Sequence, residues 1–497
     1  MVGVPLDGQA GGGCDAAPPV RRACSRRTRR DVLRWLGGAA GAAAGLELLP
    51  GCSASAVRPA PANPVTTVHV QLNVQIPSSA IVQRIVQQML DEGFNAAHRG
   101  VRAIWEPWGN MPAVIAAIVA GNGPLVIAGS LVQFATVLPF LAALDVPLRQ
   151  DGDPPSLWSS NQLDSFRRSS GLYAVPGYTA CEPFIYRQDI LDDLGQPYPA
   201  PDWTYLDAQR LWQACSGESN GAHRYGVTLP FGPGNLDPGA FFIFPGFGGA
   251  YADSGRLQCL LDEPSSVQAG EYFFPMVWSG VAASGDGTPS QGMVDGSVVF
   301  SQGAGHAVLW AVQNLGQRVR WDFIPYPRWP VRPATVANGN FYGLNALAGQ
   351  TELAWELFRF AAIEPGFVRQ LMRLTLQEPA LLSLWDEWMA VVTAQAPLLR
   401  GKALHFWRDA AVQGEGYGPV FFERQPVQAE AIVTDFWTKI WQRALGVREG
   451  FTMAAERVNA LESAAATEGA PPSGRELVAQ QQRALRRLNT MFGAATD

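Results

Sequence analysis

A serine in a glycine-flanked pattern is the first feature of the sequence that could do chemistry. Gly217-Glu218-Ser219-Asn220-Gly221 matches the Gly-x-Ser-x-Gly pattern of serine hydrolases, whose nucleophile sits on a turn between a strand and a helix. Here a helix is predicted over 205–214, before the motif, and a strand over 225–229, after it. Because this order is the reverse of what the nucleophile needs, we interpret the motif as a polar loop.

The histidines and cysteines do not have the spacing of a metal site. The histidines are scattered and include no His-Glu-x-x-His pair, and no Cys-x-x-Cys pair occurs among Cys181, Cys215 and Cys259. At most one disulfide can form among these three cysteines, and whether it forms stays open. We expect no metal, no cofactor and no enzymatic activity. A carboxylate pair for glycoside hydrolysis depends on a three-dimensional separation and also stays open.

The N-terminus has the order of an export signal rather than that of a folded domain. A segment rich in arginine is followed by a glycine- and alanine-rich apolar segment over 35–49 and then by Cys52. The apolar segment is too short for a spanning helix, which needs about 20 residues. We therefore predict that residues 1–51 are a signal peptide, against the alternative of a disordered basic leader with a chance cysteine.

Two short motifs within this segment refine the prediction. The segment 28–34, which contains Arg29 and Arg30, resembles a twin-arginine export signal. Leu49-Pro50-Gly51-Cys52 resembles a bacterial lipoprotein box, which implies that a lipid is attached at Cys52. Residues 52–64 are rich in Ser, Ala and Pro and are predicted to be a flexible tether.

Charge and hydropathy limit the partners of the remaining chain. The net charge is −6 for the whole chain and −9 once residues 1–51, with their seven arginines and four acidic residues, are removed. No basic face interleaved with aromatic residues is visible, so nucleic acid is excluded as a partner. The most apolar internal run, 111–148, is interrupted by Gly121 to Pro124 and by Pro139, which leaves pieces too short to cross a bilayer. The expected membrane attachment is the lipid alone.

Strands and helices are predicted to alternate after the tether. Strands are expected over 68–72, 101–105 and 125–128, and helices after Ser78 or Ser79, after Asn110, and over 131–144. This alternation favours a parallel sheet covered by helices. Ligands of such sheets bind beyond the carboxyl ends of the strands, which here are followed by Asn73 and Gln75, by 106–108 and by 129–133.

From Tyr173 onward the sequence resembles the extracellular solute-binding proteins of ABC importers, in particular the group that binds oligosaccharides and polyols. The segment 171–178 is similar to the first strand that crosses between lobes, and 321–327 to the second. Phe247-Gly248-Gly249 resembles a double-glycine loop, 307–310 a strand that follows a glycine, and 339–344 a glycine-aromatic strand. The helix predicted over 354–360 corresponds to the one that closes the first lobe.

The resemblance implies an α/β fold of the type II periplasmic-binding-protein kind, with two lobes and three hinge crossings. Lobe I is predicted over 65–177 with about 326–377 returning to it. Lobe II is predicted over 178–325, with a mainly helical segment of about 378–497 packing on it. Trp385 and Trp388, at helical spacing, are expected in the core.

A sugar site needs flat aromatic rings and hydrogen-bonding side chains. Position relative to the predicted loops and the resemblance together select the expected ligand-binding residues, which are Gln75, Trp108, Ser130, Gln133, Tyr178, Glu182, Phe247, Gly248, Trp310, Gln313, Asn338, Asn340 and Tyr342.

The predicted function is capture of a small polar solute, a sugar, oligosaccharide or polyol, and its delivery to the permease subunits of an ABC transporter. The protein is expected to be an exported monomer, held by Cys52 at the outer face of the cytoplasmic membrane, in a periplasm or at the cell surface. Two alternatives stay open, a lipid-anchored hydrolase acting on carbohydrate and a ligand sensor for a chemoreceptor or sensor kinase.

Overall fold

The computed structural model of the chain divides into two compact units, 1–62 and 63–497. The described residues all lie in the second unit and are 65–72, 80–107, 110–178, 180, 181, 183–219, 221–229, 232, 242–285, 290–302, 307–468, 474–476 and 479. The predictions for Arg29, Arg30, Cys52 and the tether therefore lie outside the described residues. Within the described part, no helix has the length and apolar character that would span a bilayer.

The strands are short and alternate with helices along most of the chain. They are β1 (Thr66–Gln71), β2 (Val101–Glu106), β3 (Val126–Ser130), β4 (Arg167–Arg168), β5 (Gly171–Leu172), β6 (Ala174–Pro176), β7 (Ala180–Cys181), β8 (Phe184–Arg187), β9 (Gly217–Ser219), β10 (Ala222–Leu229), β11 (Ala282–Ser284), β12 (Val298–Gln302), β13 (Trp321–Ile324), β14 (Thr335–Asn338), β15 (Asn340–Leu344) and β16 (Gly416–Tyr417).

The helices surround these strands and dominate the last part of the chain. They are α1 (Ala80–Leu90), α2 (Met111–Ala120), α3 (Phe134–Val137), α4 (Asp145–Gln150), α5 (Ser160–Asp164), α6 (Gln188–Asp193), α7 (Tyr205–Cys215), α8 (Ile243–Gly246), α9 (Pro264–Trp278), α10 (Gly292–Asp295), α11 (Ala307–Asn314), α12 (Thr351–Ala362), α13 (Pro365–Thr375), α14 (Trp385–Gln395), α15 (His405–Gln413), α16 (Pro426–Trp441) and α17 (Val447–Glu468).

Two mixed sheets form the body of the protein. The first has the order β2-β1-β3-β15-β6, in which β15 runs antiparallel to both of its neighbours. The second has the order β11-β10-β12-β8-β13, in which β8 runs antiparallel to both of its neighbours, and β9 pairs with β10 beside it. Helices cover both sheets, as the alternation in the sequence predicts, and the α/β, two-lobed fold is confirmed.

A third, smaller sheet of β16, β14 and β7, which we call the hinge sheet, connects these two bodies. Strand β7 lies in the chain between β6 of the first sheet and β8 of the second, and β14 lies between β13 of the second and β15 of the first. The segments 171–178 and 321–327 were expected to make these crossings. They do not, because β6 and β13 are members of the large sheets, and the crossings fall at β7 and β14.

The start and end of α2 were predicted correctly from the local sequence. The Asn110 Oδ1 accepts a hydrogen bond from the Ala113 backbone N–H at 3.3 Å, and Pro112 occupies the first turn. Gly121 ends the helix with φ of 81°, a left-handed conformation that glycine adopts without steric cost.

One prediction of secondary structure is correct in part and another is wrong. The helix expected over 131–144 extends only over 131–140, where α3 is flanked by single 3-10 turns, and Leu141 pairs with Asn345 as an isolated bridge. The strand expected over 307–310 is the start of α11, in which Val308 and Ala311 are buried at helical spacing. A short apolar run fits either structure.

The buried hydrophobic residues form two clusters. The first includes the first sheet and also Trp385, Trp388 and Trp407, so the prediction of Trp385 and Trp388 as core residues is confirmed. The second surrounds the second sheet and α16 and α17. The predicted lobe boundaries stay a prediction.

One buried carboxylate in the first cluster has no compensating partner. Glu378 lies between α13 and α14, is 1% exposed, and neither carboxylate oxygen accepts a hydrogen bond. Burial raises its pKa well above the usual value. The charged form is therefore penalised in the folded state.

Replacement of Glu378 by glutamine should stabilise the protein at pH values above the unfolded-state pKa of the carboxyl. A raised folded-state pKa contributes stability below the unfolded value of about 4.3, and this contribution is lost as pH rises through the folded-state pKa. We expect Glu378→Gln to raise the free energy of unfolding at pH 8 by about 1 kcal/mol. The gain should shrink as pH falls toward 4.5, measured by urea unfolding.

A matched control is Glu462→Gln. Glu462 is also buried, but its carboxylate accepts backbone hydrogen bonds from Arg424 and Gln425 just before α16, at 3.1 and 2.8 Å. This variant should lose stability at pH 8. Equal losses in both variants would contradict the account of Glu378.

Candidate ligand-binding site

The carboxyl ends of the parallel strands define one edge of the first sheet. Strands β1, β2, β3 and β6 end there, and Asn340, the first residue of β15, pairs with Ser130. Two polar side chains at this edge are already engaged. The Gln71 Oε1 accepts a hydrogen bond from the Ala128 N–H at 3.2 Å, and Glu106 lies 2.7 Å from His69.

Ser130 and Gln133 lie together at the end of β3. The Gln133 Oε1 accepts a hydrogen bond from the Ser130 N–H at 3.0 Å, which fixes the turn between β3 and α3. A Cβ on Gly129 would lie 2.9 Å from the same Gln133 oxygen and 2.8 Å from Met111 Cε. The turn is thus rigid and tightly packed, and both predicted residues occur where the sequence placed them.

Tyr178, Asn338 and Asn340 meet where the chain leaves the first sheet for the hinge sheet. The Gly177 N–H donates to the Asn340 carbonyl at 2.7 Å, and the Gln162 Nε2 donates to the Tyr178 carbonyl at 3.1 Å. A Cβ at Gly339 would lie 2.6 Å from that Tyr178 carbonyl. Glycine is therefore required for this close approach of the backbones.

The aromatic rings expected at this edge are deeply packed. Tyr178 is 4% exposed and Tyr342 is 1% exposed. Asn340 is 3% exposed, and its Nδ2 has no hydrogen-bond partner. At this edge the buried group with unused hydrogen-bonding capacity is thus an amide, and not a ring face.

The corresponding edge of the second sheet carries polar residues that the sequence did not single out. The Thr228 Oγ1 and the Ser301 Oγ are 2.8 Å apart in a hydrogen bond, and the Ser290 N–H donates to the same Ser301 oxygen at 2.9 Å. Gln302, the last residue of β12, is 3% exposed, and neither of its amide atoms has a partner. A strand assigned to 298–302, in place of 307–310, would have revealed this position.

Four of the predicted ligand-binding residues, Phe247, Gly248, Trp310 and Gln313, are not part of a strand. Phe247 is 3% exposed, and its ring packs on those of Tyr205, Tyr272 and Trp329. Gly248 follows it with φ of 81°. Trp310, which is half-buried, and Gln313, which is exposed, lie on α11. Their roles stay predictions.

Gln75, Trp108 and Glu182 lie outside the described residues. Each follows closely on a strand or hinge element, after β1, β2 and β7 respectively. Their assignment to the site likewise stays a prediction.

A polar junction links the two bodies beside the hinge sheet. The Arg256 guanidinium, in the loop between α8 and α9, donates to the backbone carbonyls of Asp164 and Arg167. Glu423 accepts a hydrogen bond from the Ser169 N–H at 3.1 Å, and its own N–H donates to the Arg256 carbonyl at 2.9 Å. A cavity of about 510 Å³ opens between these segments.

The Gly-x-Ser-x-Gly motif does not form a nucleophile elbow. Helix α7 precedes it, and Ser219 lies in β9, which pairs antiparallel with β10. The Ser219 Oγ accepts a hydrogen bond from the Arg224 Nη1 at 3.2 Å. The polar loop expected here is thus a short hairpin strand.

The three described cysteines, Cys181, Cys215 and Cys259, are buried, and the structure forms no disulfide among them. Burial raises the pKa of the Cys215 thiol to about 11 and that of Cys259 to about 12, which keeps both protonated at neutral pH. Within the described residues, no group of three His, Cys, Asp or Glu side chains is arranged to hold a metal ion.

Two α/β bodies joined by a three-stranded hinge, with polar strand ends beside that hinge, define the class of two-lobed ligand-binding proteins. Residues 77–364 match the model of the bacterial extracellular solute-binding protein family. The chain belongs to this family. A search of the curated proteins gave no match.

Solved structures share the fold at low sequence identity. An ABC substrate-binding protein of Listeria monocytogenes in complex with cycloalternan is 15% identical, with a TM-score of 0.63 over 80% of this chain and 99% of that one. The cyclic alpha-maltosyl-1,6-maltose binding protein of Arthrobacter globiformis is 18% identical, with a TM-score of 0.63 and coverage of 80% and 99%. The sugar-binding protein MalE of Xanthomonas citri is 15% identical, with a TM-score of 0.63 and coverage of 80% and 98%.

Loss of the Arg256 side chain should weaken the polar junction. Arg256 has φ of 57°, and methionine in its place keeps the backbone strain while removing both hydrogen bonds. We expect Arg256→Met to lower the free energy of unfolding by about 1–2 kcal/mol, because hydrogen bonds to charged groups contribute about 1.5–3 kcal/mol and this one is partly solvated. The midpoint of urea unfolding measures the change.

The control for Arg256 is Arg210→Met. The Arg210 side chain is 72% exposed and pairs with Asp207 within α7, so its loss should change stability by less than about 0.5 kcal/mol. If the two variants are equally stable, the junction does not contribute to stability.

Proposed function

We propose that the protein captures a neutral sugar or oligosaccharide between its two lobes and delivers it to the permease subunits of an ABC importer. The observation that carries this proposal is the polar, largely uncharged character of the two strand edges beside the hinge sheet. Gln71, Ser130 and Asn340 lie at the first edge, and Ser301 and Gln302 at the second. The sugar ligands named for structures of the same fold support the choice of ligand.

Binding by closure follows from this arrangement. A ligand that contacts both edges makes more contacts when the lobes approach one another, so it shifts the population toward the closed form. We propose lobe I as 65–177 with about 326–377, and lobe II as 178–325 with about 378–497. The placement of β15 in the first sheet and of β13 in the second supports this division. Trp407 of α15 packs on Phe323 of β13, with ring centroids 4.5 Å apart, and both rings belong to the first cluster of buried residues.

Export and lipid anchoring complete the proposal. The segment 28–34 and Cys52 support an exported monomer tethered to the outer face of the cytoplasmic membrane. Membership of an extracellular family supports export. Delivery to the permease then needs only local diffusion in two dimensions.

The ligand can be found by a thermal-shift screen of residues 53–497. The panel contains maltose, cellobiose, glucose, sorbitol, glycerol 3-phosphate and glutamate, so that sugars, polyols, phosphates and amino acids are compared directly. A true ligand at 100 times its dissociation constant adds about 2.7 kcal/mol to the free energy of unfolding. We expect a rise in Tm with a sugar and none with glutamate or glycerol 3-phosphate. A rise with the charged compounds alone, or hydrolysis of the disaccharides by the pure protein, would overturn the proposal.

Anchoring can be tested in cells that express the full chain. Cys52→Ala should abolish incorporation of labelled palmitate and release the protein from the membrane fraction. Arg29→Lys with Arg30→Lys should hold the precursor in the cytoplasm. Cys181→Ala, which removes a buried thiol that is not part of a disulfide and lies far from the leader in sequence, is the control for labelling. Persistent labelling of Cys52→Ala would show that another residue carries the lipid.

A further inference from the structure

Gln302 is a buried amide that the folded chain leaves unsatisfied. It is 3% exposed, and neither Oε1 nor Nε2 has a hydrogen-bond partner. A buried polar group without a partner costs about 1–3 kcal/mol. Such a cost in a native structure calls for an explanation in terms of a missing partner.

The surroundings of Gln302 hold its backbone firmly. The Ser301 Oγ donates to the Gln302 carbonyl at 3.1 Å, and the same hydroxyl accepts hydrogen bonds from Thr228 and Ser290. Gln302 also pairs with Phe184 of β8. The end of β12 is therefore fixed while its terminal side chain keeps its full hydrogen-bonding capacity.

The topology relates Gln302 to a second unsatisfied amide at a strand end, Asn340. Asn340 begins β15, and two residues earlier Asn338 pairs with Ala180 in the hinge sheet. Four residues after Ala180, Phe184 begins β8 and pairs with Gln302. Gln302 is thus the last residue of β12, and Asn340 is the first residue of β15. Each lies where its large sheet adjoins the hinge sheet. These are the positions beyond the carboxyl ends of strands at which open α/β sheets bind ligands.

We propose that Gln302 is a specificity-determining residue that hydrogen-bonds to adjacent hydroxyl groups of a neutral ligand. This inference rests on the function proposed above and names one of the residues that performs it. An amide offers one acceptor and two donors, which match a pair of neighbouring hydroxyls, each able to donate and to accept. A carboxylate ligand would use the donors alone and would leave Oε1 unpaired.

The charges at the two edges agree with a neutral ligand. Glu106 at the end of β2 is already paired with His69. The last residues of the other parallel strands, Gln71, Ser130, Leu229, Ser284 and Ile324, carry no charge, and neither does Gln302. The described strand ends thus offer no cation to bind an acidic solute.

Replacement of Gln302 by methionine separates a binding role from a structural one. Methionine has a similar length and no strong donor, so it removes the unsatisfied amide from the unliganded protein. We expect Gln302→Met to raise the Tm of the unliganded protein and to weaken binding of the sugar that gives the largest shift in the panel by about tenfold or more. Isothermal titration calorimetry measures the affinity.

Gln377→Met is the matched control. Gln377 is 4% exposed and its amide oxygen also lacks a partner, but it lies after α13 and not at a strand end. This variant should raise the Tm in the same way and leave the dissociation constant unchanged.

The outcomes distinguish the inference from the proposed function. If no sugar binds the unmodified protein, the proposed function and the role of Gln302 are both overturned. If a sugar binds with equal affinity to the unmodified protein and to Gln302→Met, the function stands and the inference is overturned. A Gln302→Met variant with a lower Tm and unchanged affinity would show a structural role, which also overturns the inference.

Discussion

The hinge sheet is the constraint on which the rest of the structure depends. Its strands exchange few backbone contacts, with β14 paired to β7 through Ala337 and Asn338 and to β16 through Thr335 and Val336. Strands β7 and β14 each connect a strand of the first sheet with a strand of the second. A shift in this register would displace the first sheet relative to the second, because β15 follows β14 after a single glycine.

The packing of the hinge sheet leaves no room for larger residues. A Cβ at Gly416 would collide with Cys181 Sγ and lie 2.9 Å from Ala337 Cβ, and a Cβ at Gly418 would lie 2.6 Å from Ser165 Oγ. The polar junction of Arg256 and Glu423 adds hydrogen bonds between the same bodies beside this sheet. The hinge sheet thus has few backbone hydrogen bonds, but its side chains are closely packed. Small rotations of one body relative to the other are therefore resisted by few, well-packed contacts.

The sequence predicted elements that depend on local chemistry and missed those that depend on distant contacts. The start of α2 at Asn110 and its end at Gly121 are predicted from neighbouring residues, and both predictions were correct. The apolar run 307–310 is equally compatible with a strand and with a helix. Tertiary packing decides between the two, and it cannot be predicted from the local sequence pattern. With the strand at 298–302, Gln302 and not Trp310 is its last residue. The Arg256 contacts were not predictable, because their acceptors are backbone carbonyls about ninety residues away.

Two of the aromatic residues that the sequence suggested for the site, Phe247 and Tyr342, belong to the hydrophobic cores. The sequence contains 16 Trp, 24 Phe and 11 Tyr, and rings such as Phe247 and Tyr342 are used by the cores, because large apolar surfaces gain most from burial. An amide gains nothing from burial unless it is paired. An amide kept buried and unpaired at a rigid strand end therefore lowers the stability of the free protein, and a ligand that pairs with it recovers this free energy. The affinity of such a site and the instability of its empty form have the same physical origin.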